Sequence, residues 1–230
     1  MSDPVDPTGG WAAATEATAN ASKEAIKASR ELGRFIGGFA HEVVGILEDH
    51  LKVVRFERRV RLADRVRNFL IERGMTGPTR KIPLSIAVPL LENATLEEDD
   101  DLREIWARLI VNGGDAGSGI ELRRAFVSVL AEMTSLDVRN LAQIERAAKL
   151  LNAEIGSYGV WTYELPERAL PFVDGDPVAS EDGPSPEVAI SLSNLERLGC
   201  IISEKTFNQA SVLVVNLTPF GRALIDACTR

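Results

Sequence analysis

His41 and Glu42 open the pattern H-E-x-x-H, in which two histidines one helical turn apart hold a zinc ion and the glutamate between them acts as general base. Position 45 is Gly, so the second ligand is missing, and His50 does not share the helical face of His41. Cys200 and Cys228 have no histidine near them in sequence and suit buried apolar positions better than a nucleophile or a four-ligand metal site. Glu97-Glu98-Asp99-Asp100-Asp101 is an unbroken run of carboxylates. Neighbours on a helix point about 100° apart, so the run suits a helix N-terminus better than one metal ion. Asp174, Asp176 and Asp182 lack the spacing of a calcium loop. The stretch NGGDAGSG, residues 112–119, follows a helical pattern and lacks the Lys of a phosphate loop, so it reads as a helix–helix turn. No nucleophile elbow, kinase set or deaminase signature is present. The expectation is a protein that is not an enzyme and needs no metal or cofactor.

Arginines are the other residues with chemistry to offer. Over residues 51–74 Val53, Phe56, Val60, Ala63, Leu70 and Ile71 fall on one side of a helix at 100° per residue. Arg58, Arg61 and Arg65 line the other side, as a phosphate-binding strip or as a solvated face neutralised by Glu57, Asp64 and Glu72. Arg59 and Arg67 point into the apolar side, where a guanidinium needs a carboxylate or must run its stem outward. At least one is expected to pair with an acid from the next segment, and Glu92 is the candidate.

The whole chain has 230 residues, 45% hydrophobic and 26% charged, with a net charge of −8. A soluble globular protein of one or two domains fits these figures, and so acidic a molecule is a poor general binder of nucleic acid. The charge is unevenly spread. Residues 51–82 hold ten basic and three acidic side chains (+7), and residues 83–101 hold none and six (−6), which suggests that the two blocks neutralise each other. Two cysteines, no leader of basic-then-apolar type and no long uncharged apolar run point to the cytoplasm. Membrane contact through the Gly-rich segment 33–47 is disfavoured by the charges that interrupt it.

The elements that would carry these residues begin after a tail at 1–10, with an Ala-rich peripheral helix over 12–32. Residues 33–133 read as a helical domain. Gly74 closes the 51–74 helix, and Pro83 opens a helix through Asn93 that Pro89 kinks or divides. Thr95 with Glu98 makes a capping box for a helix to about Val111; Ser118 with Glu121 makes another for a helix to Met133. From 134 to 230 the character changes. A helix over 134–152 precedes a stretch from Gly156 to Val160, with Trp161 and Tyr163, that is β-favouring or irregular, and an acidic Pro/Gly-rich exposed loop at 171–186. Then come a helix 186–198, strands 200–204 and 212–216, and a last helix 220–228. Helix, strand, turn, strand, helix is the order of a winged helix, so the expected fold is mainly α with a small β wing: an N-terminal multi-helix domain followed by a winged-helix-like module.

The segment RKIPLSIAVPLLENATLEEDDDLREIWARLIVNGGD, residues 80–115, resembles the central signature of the abortive-infection alpha family of bacterial proteins. Pro83, Pro89, Leu91, Glu92, Glu97, Asp101, Leu102, Trp106, Ala107, Leu109 and Asn112 carry that likeness. LAEMTSLDVRNL at 130–141, NLERLGCI at 194–201 and LTPFGRAL at 217–224 are similar to its later layout. The resemblance covers the chain from about residue 33 onward. It implies defence against phage, in which the infected cell stops growing or dies before the phage matures, and it carries no assigned catalytic residues. Arg59, Arg67, Glu92, Glu97, Asp101 and Trp106 then read as structural members of the signature.

Two functions are weighed on this basis. The first is a defence protein that binds or senses a protein partner or phage component, with a homo-oligomer compatible with the fold. The second is a winged-helix DNA-binding transcriptional regulator using Arg58, Arg61, Arg65 and Arg197. The helix 186–198 offers Glu187, Ser191, Ser193, Asn194, Glu196 and the single Arg197, a poor set for phosphate contacts or guanine readout, so the first is preferred.

Overall fold

Why the chain turns where it does is visible in a computed structural model that describes residues 23–24, 26–36, 54–151, 157–173, 183–204 and 213–229. A short helix, α1 (26–33), buries Ala28 and Leu32, and Phe35 and Ile36 follow them into the core. Ile36 bridges Ile82 in parallel, and the Ile82 N–H donates to the Phe35 carbonyl at 2.7 Å. Helix α2 (Val54–Glu72) buries Leu62, Val66, Phe69 and Leu70 at helical spacing. It ends where Gly74 takes a φ of 66°, which lets the Met75 N–H reach back to the Leu70 carbonyl at 2.7 Å.

Helix α3 (Leu84–Leu96) starts after Pro83 and runs unbroken past Pro89 to three residues beyond the expected end. The following start differs from expectation. Thr95 belongs to the last turn of α3, where its hydroxyl donates to the Leu91 carbonyl at 2.7 Å. Asp99 is the cap of helix α4 (Asp100–Gly114), accepting from the N–H groups of Asp101 and Leu102 at 2.9 and 3.0 Å. A carboxylate four residues on outcompetes a threonine whose hydroxyl is already engaged. Ser118 is likewise no helix cap: its hydroxyl closes the 3-10 turn Ala116–Ser118 onto Asn112, and helix α5 (Arg124–Ala131) starts later. The helix expected over 134–152 does start here: Thr134 and Asp137 open helix α6 (Ser135–Leu151), with each side chain bonded to the other's N–H at 2.7 and 3.2 Å.

Strands β1 (Ser157–Trp161) and β2 (Leu170–Val173) pair antiparallel. Residues 171–173 are therefore an edge strand rather than the start of an exposed loop, held where Phe172 meets the Trp161 ring edge-on at 5.0 Å. Pro171 fits there because an edge strand can spare an N–H. Helix α7 (Pro186–Arg197) is capped by Ser185 and ended at Gly199, φ 72°. The hairpin of β3 (Ile201–Glu204) and β4 (Val214–Leu217) and the helix α8 (Pro219–Thr229) follow. The sheet order is β2-β1-β4-β3, antiparallel throughout. Gly221 lets α8 close on the turn after α7, since a Cβ there would stand 2.1 Å from the Cys200 carbonyl oxygen.

The fold is thus mainly helical with a small antiparallel sheet near the C-terminus. Buried side chains from Ala28 to Cys228 form one connected core, and α4 lies against both α2 and α8. No helix among the described residues is long and apolar enough to cross a membrane. His41, His50 and most of the Gly-rich segment 33–47 lie outside the described residues, as do the aspartates 174, 176 and 182.

Candidate functional site

The arginine strip of α2 faces the acidic turn between α3 and α4. Arg58 holds Glu98 at 2.5 Å and the Leu96 carbonyl at 2.8 Å, and Arg65 holds Asp100 at 2.9 Å and Glu104 at 3.7 Å. Arg61 stays exposed, 3.9 Å from Glu57. From beneath, the buried Arg103 pairs with Asp100 and donates to the carbonyls of Glu97 and Glu98 at 3.1 and 3.0 Å. Glu97 turns its carboxylate onto the N–H groups of Glu98 and Asp99 at 2.9 and 3.0 Å. Asp101 is exposed and Trp106 is buried in the core. The +7 and −6 blocks therefore do meet, through side chains that are partly in water. Such pairs fix geometry more than they add stability.

Arg59 and Arg67 find partners, but not the one expected. Arg67 holds Glu31 at 3.1 Å and Asp64 at 2.8 Å, and Arg59 donates to the Ser29 hydroxyl at 3.3 Å. Both reach the preceding helix α1, because that is the element lying on this side of α2. Glu92, half-buried on α3, makes no ion pair among the described residues.

A second polar centre lies at the carbonyl end of α4. The fully buried Asn112 accepts from Arg73 at 2.6 Å and donates to the Ala227 carbonyl of α8 at 2.7 Å. Arg80 donates to the carbonyls of Gly113 and Ile120 at 3.0 and 2.7 Å. Two guanidinium groups thus sit where the helix dipole is negative. Arg73 and Arg80 were not singled out from sequence; two arginines flanking a short Pro/Gly loop ahead of Asn-Gly-Gly are the only signal, and it does not say which carbonyls they meet.

A third centre joins α6 to α7. Asp137, nearly fully buried, accepts from Thr134 and from Asn194 Nδ2 at 3.0 Å, and Asn194 also donates to the Glu132 carbonyl at 3.1 Å. Arg197 holds Glu132 at 2.7 Å and the Asn194 side-chain oxygen at 2.7 Å. Asn140 donates to the Ser191 hydroxyl at 2.9 Å, both groups buried. On β3 Ser203 donates to Glu196 through its N–H at 3.1 Å and its hydroxyl at 2.5 Å. The polar side chains that a reading helix would aim at DNA are spent on intramolecular contacts. What α7 turns outward is Glu187, Ser193, the 72% exposed Ile190, and the hydrogen-bonded Glu196 and ion-paired Arg197. Ile202 on β3 is also open to solvent.

The two cysteines are buried, and burial pushes both thiols up to about 12, with the charge of Asp137 adding to the effect at Cys200 and the nearness of Cys200 adding to it at Cys228. A thiol so placed is not a thiolate at neutral pH. Among the described residues no three His, Cys, Asp or Glu side chains are grouped to hold a metal ion.

Compared with known proteins, the chain matches the family described as abortive infection alpha over residues 56–228. No curated protein and no solved structure matches it.

Proposed function

Since the chain belongs to the abortive infection alpha family, we propose that it is a bacterial anti-phage protein that acts by binding or sensing a protein partner or phage component, with α7, β3, β4 and α8 as a winged-helix interaction module. The family supports the defence role. Helix α7 supports the mode: Asn194, Arg197 and Ser191 are engaged by Asp137, Glu132 and Asn140, and an exposed isoleucine stands where a DNA reader would carry donors. Exposed apolar side chains beside polar ones are the raw material of protein interfaces. A binding rather than catalytic mode is supported by the two protonated thiols and by the carboxylates of Glu97, Glu98, Asp99 and Asp100, each bound to an arginine or to backbone N–H groups.

Expression in a sensitive host lowers plaquing by at least some members of a diverse phage panel. Ile190→Asp restores plaquing while leaving the thermal midpoint unchanged, because the side chain touches little in the folded chain. Unchanged plaquing across the panel with the wild-type protein overturns the reading. Protection that survives Ile190→Asp moves the interface away from α7.

A further inference from the structure

Lys23, Lys27, Arg30 and Arg34 are the only basic residues among the first fifty, a stretch whose net charge of −4 hides them. At 100° per residue they fall within an arc of about 60°. Ala28 and Leu32, the side chains that α1 sends into the core at 3% and 4% exposure, lie on the opposite side. All four cations are exposed. Lys23, Lys27 and Arg30 make no ion pair among the described residues, whereas Arg58, Arg65, Arg67 and Arg103 each hold a carboxylate. Glu31, the acid nearest the stripe, is drawn aside to Arg67. At the end of the stripe Arg34 donates to the Thr76 carbonyl at 2.7 Å, and Lys81 donates to the Arg34 carbonyl, adding a fifth cation. Lys23, Lys27, Arg30 and Arg34 line, with Ile26 and the Arg67-bound Glu31, a groove of about 470 Å3.

We propose that this stripe binds the phosphodiester backbone of nucleic acid without regard to sequence. At the 1.5 Å rise of a helix the eleven steps from Lys23 to Arg34 place the four cations along about 16 Å, a length that spans several phosphates of one strand. Phosphate contacts fix position and carry no sequence information. The stripe holds no aromatic ring on which a base could stack and no amide to read a base edge. An anionic membrane surface fits less well. A helix lying in a bilayer interface sinks an apolar face, and that of α1 is already committed to the core, leaving Ile26 alone. The proposal stands independently of the phage-defence reading, since its test is made on purified protein.

Fluorescence anisotropy of the full chain with labelled 20-mers of mixed sequence, as single-stranded DNA, single-stranded RNA and duplex DNA, is the direct measurement. Four neutralised phosphates predict a slope of log K against log salt of about −4 on duplex and about −3 on single strands, roughly a hundredfold loss between 50 and 200 mM salt. The triple variant K23Q/K27Q/R30Q abolishes binding, each single substitution lowers the slope by about 1, and the charge-conserving K23R/K27R/R30K retains it. Arg197→Ala leaves binding unchanged. No binding at 50 mM salt overturns the proposal, as does binding that survives the triple variant or is lost with Arg197. Capture by vesicles containing phosphatidylserine without binding to any of the three oligonucleotides assigns the stripe to lipid instead and equally overturns it.

Discussion

Asp99 shows how one side chain can fix an element's start and couple it to a neighbour. Its carboxyl is held below the usual aspartate range, chiefly by a hydrogen bond from Ser135 of α6, then by the Leu102 N–H, with the charge of Arg139 acting in the same direction. A depressed folded-state pKa contributes stability that is present above the unfolded value and is lost as pH falls through the folded one. Asp99→Ala is therefore expected to cost about 1 kcal/mol at neutral pH, and the gap between the two proteins in urea melts closes as pH drops below about 4. The same residue marks a limit of sequence reading. Thr95 and Glu98 satisfy the capping-box spacing as well as Thr134 and Asp137 do, yet only the second pair caps a helix. The difference is that Thr95 is still inside α3, with its hydroxyl spent on Leu91, and spacing alone does not say where the previous helix has stopped.

At the scale of elements, the α3–α4 turn depends on Arg103 from inside and on Arg58 and Arg65 from outside. These contributions are unequal. Arg103 is 3% exposed and satisfies two part-buried carbonyls of the turn, so Arg103→Met leaves them and Asp100 without this donor and is expected to cost about 1–3 kcal/mol in chemical denaturation. Arg58→Ala opens a pair whose acid is 78% exposed and costs under about 1 kcal/mol. Much at this scale is legible in the sequence. The apolar periodicity of α2 and α7, the glycines that end them at 74 and 199, and the two β-branched strands before Thr218-Pro219 all stand where local physics puts them. The edge strand β2 is not legible, because four residues containing Pro become a strand only when β1 offers its hydrogen bonds and Trp161. The partners of Arg59 and Arg67 are not legible either. The need for a carboxylate follows from their place on the apolar side, but the choice of Glu31 over Glu92 depends on which helix packs there.

Across the whole molecule, the opposed charge blocks and the connected core make one unit. The expectation is a single unfolding transition, with far-UV circular dichroism and tryptophan fluorescence following the same urea curve; two separated transitions would divide the chain between α6 and the segments before it. The polar face of α7 was within reach of the sequence as a set of residue types, since Asn194, Ser191 and Arg197 are a weak DNA-reading set. Their engagement by Asp137, Asn140 and Glu132 was not, because those residues come from more than fifty positions earlier. Helix α4 is pinned at both ends, by Asp99 to α6 and by Asn112 to the last turns of α8. A rod fastened at two points does not bend as a hinge. A load placed on α8 would pull on α4 at Asn112, along the helix axis, so the turn held by Arg58, Arg65 and Arg103 at the far end is where that load is expected to be resisted.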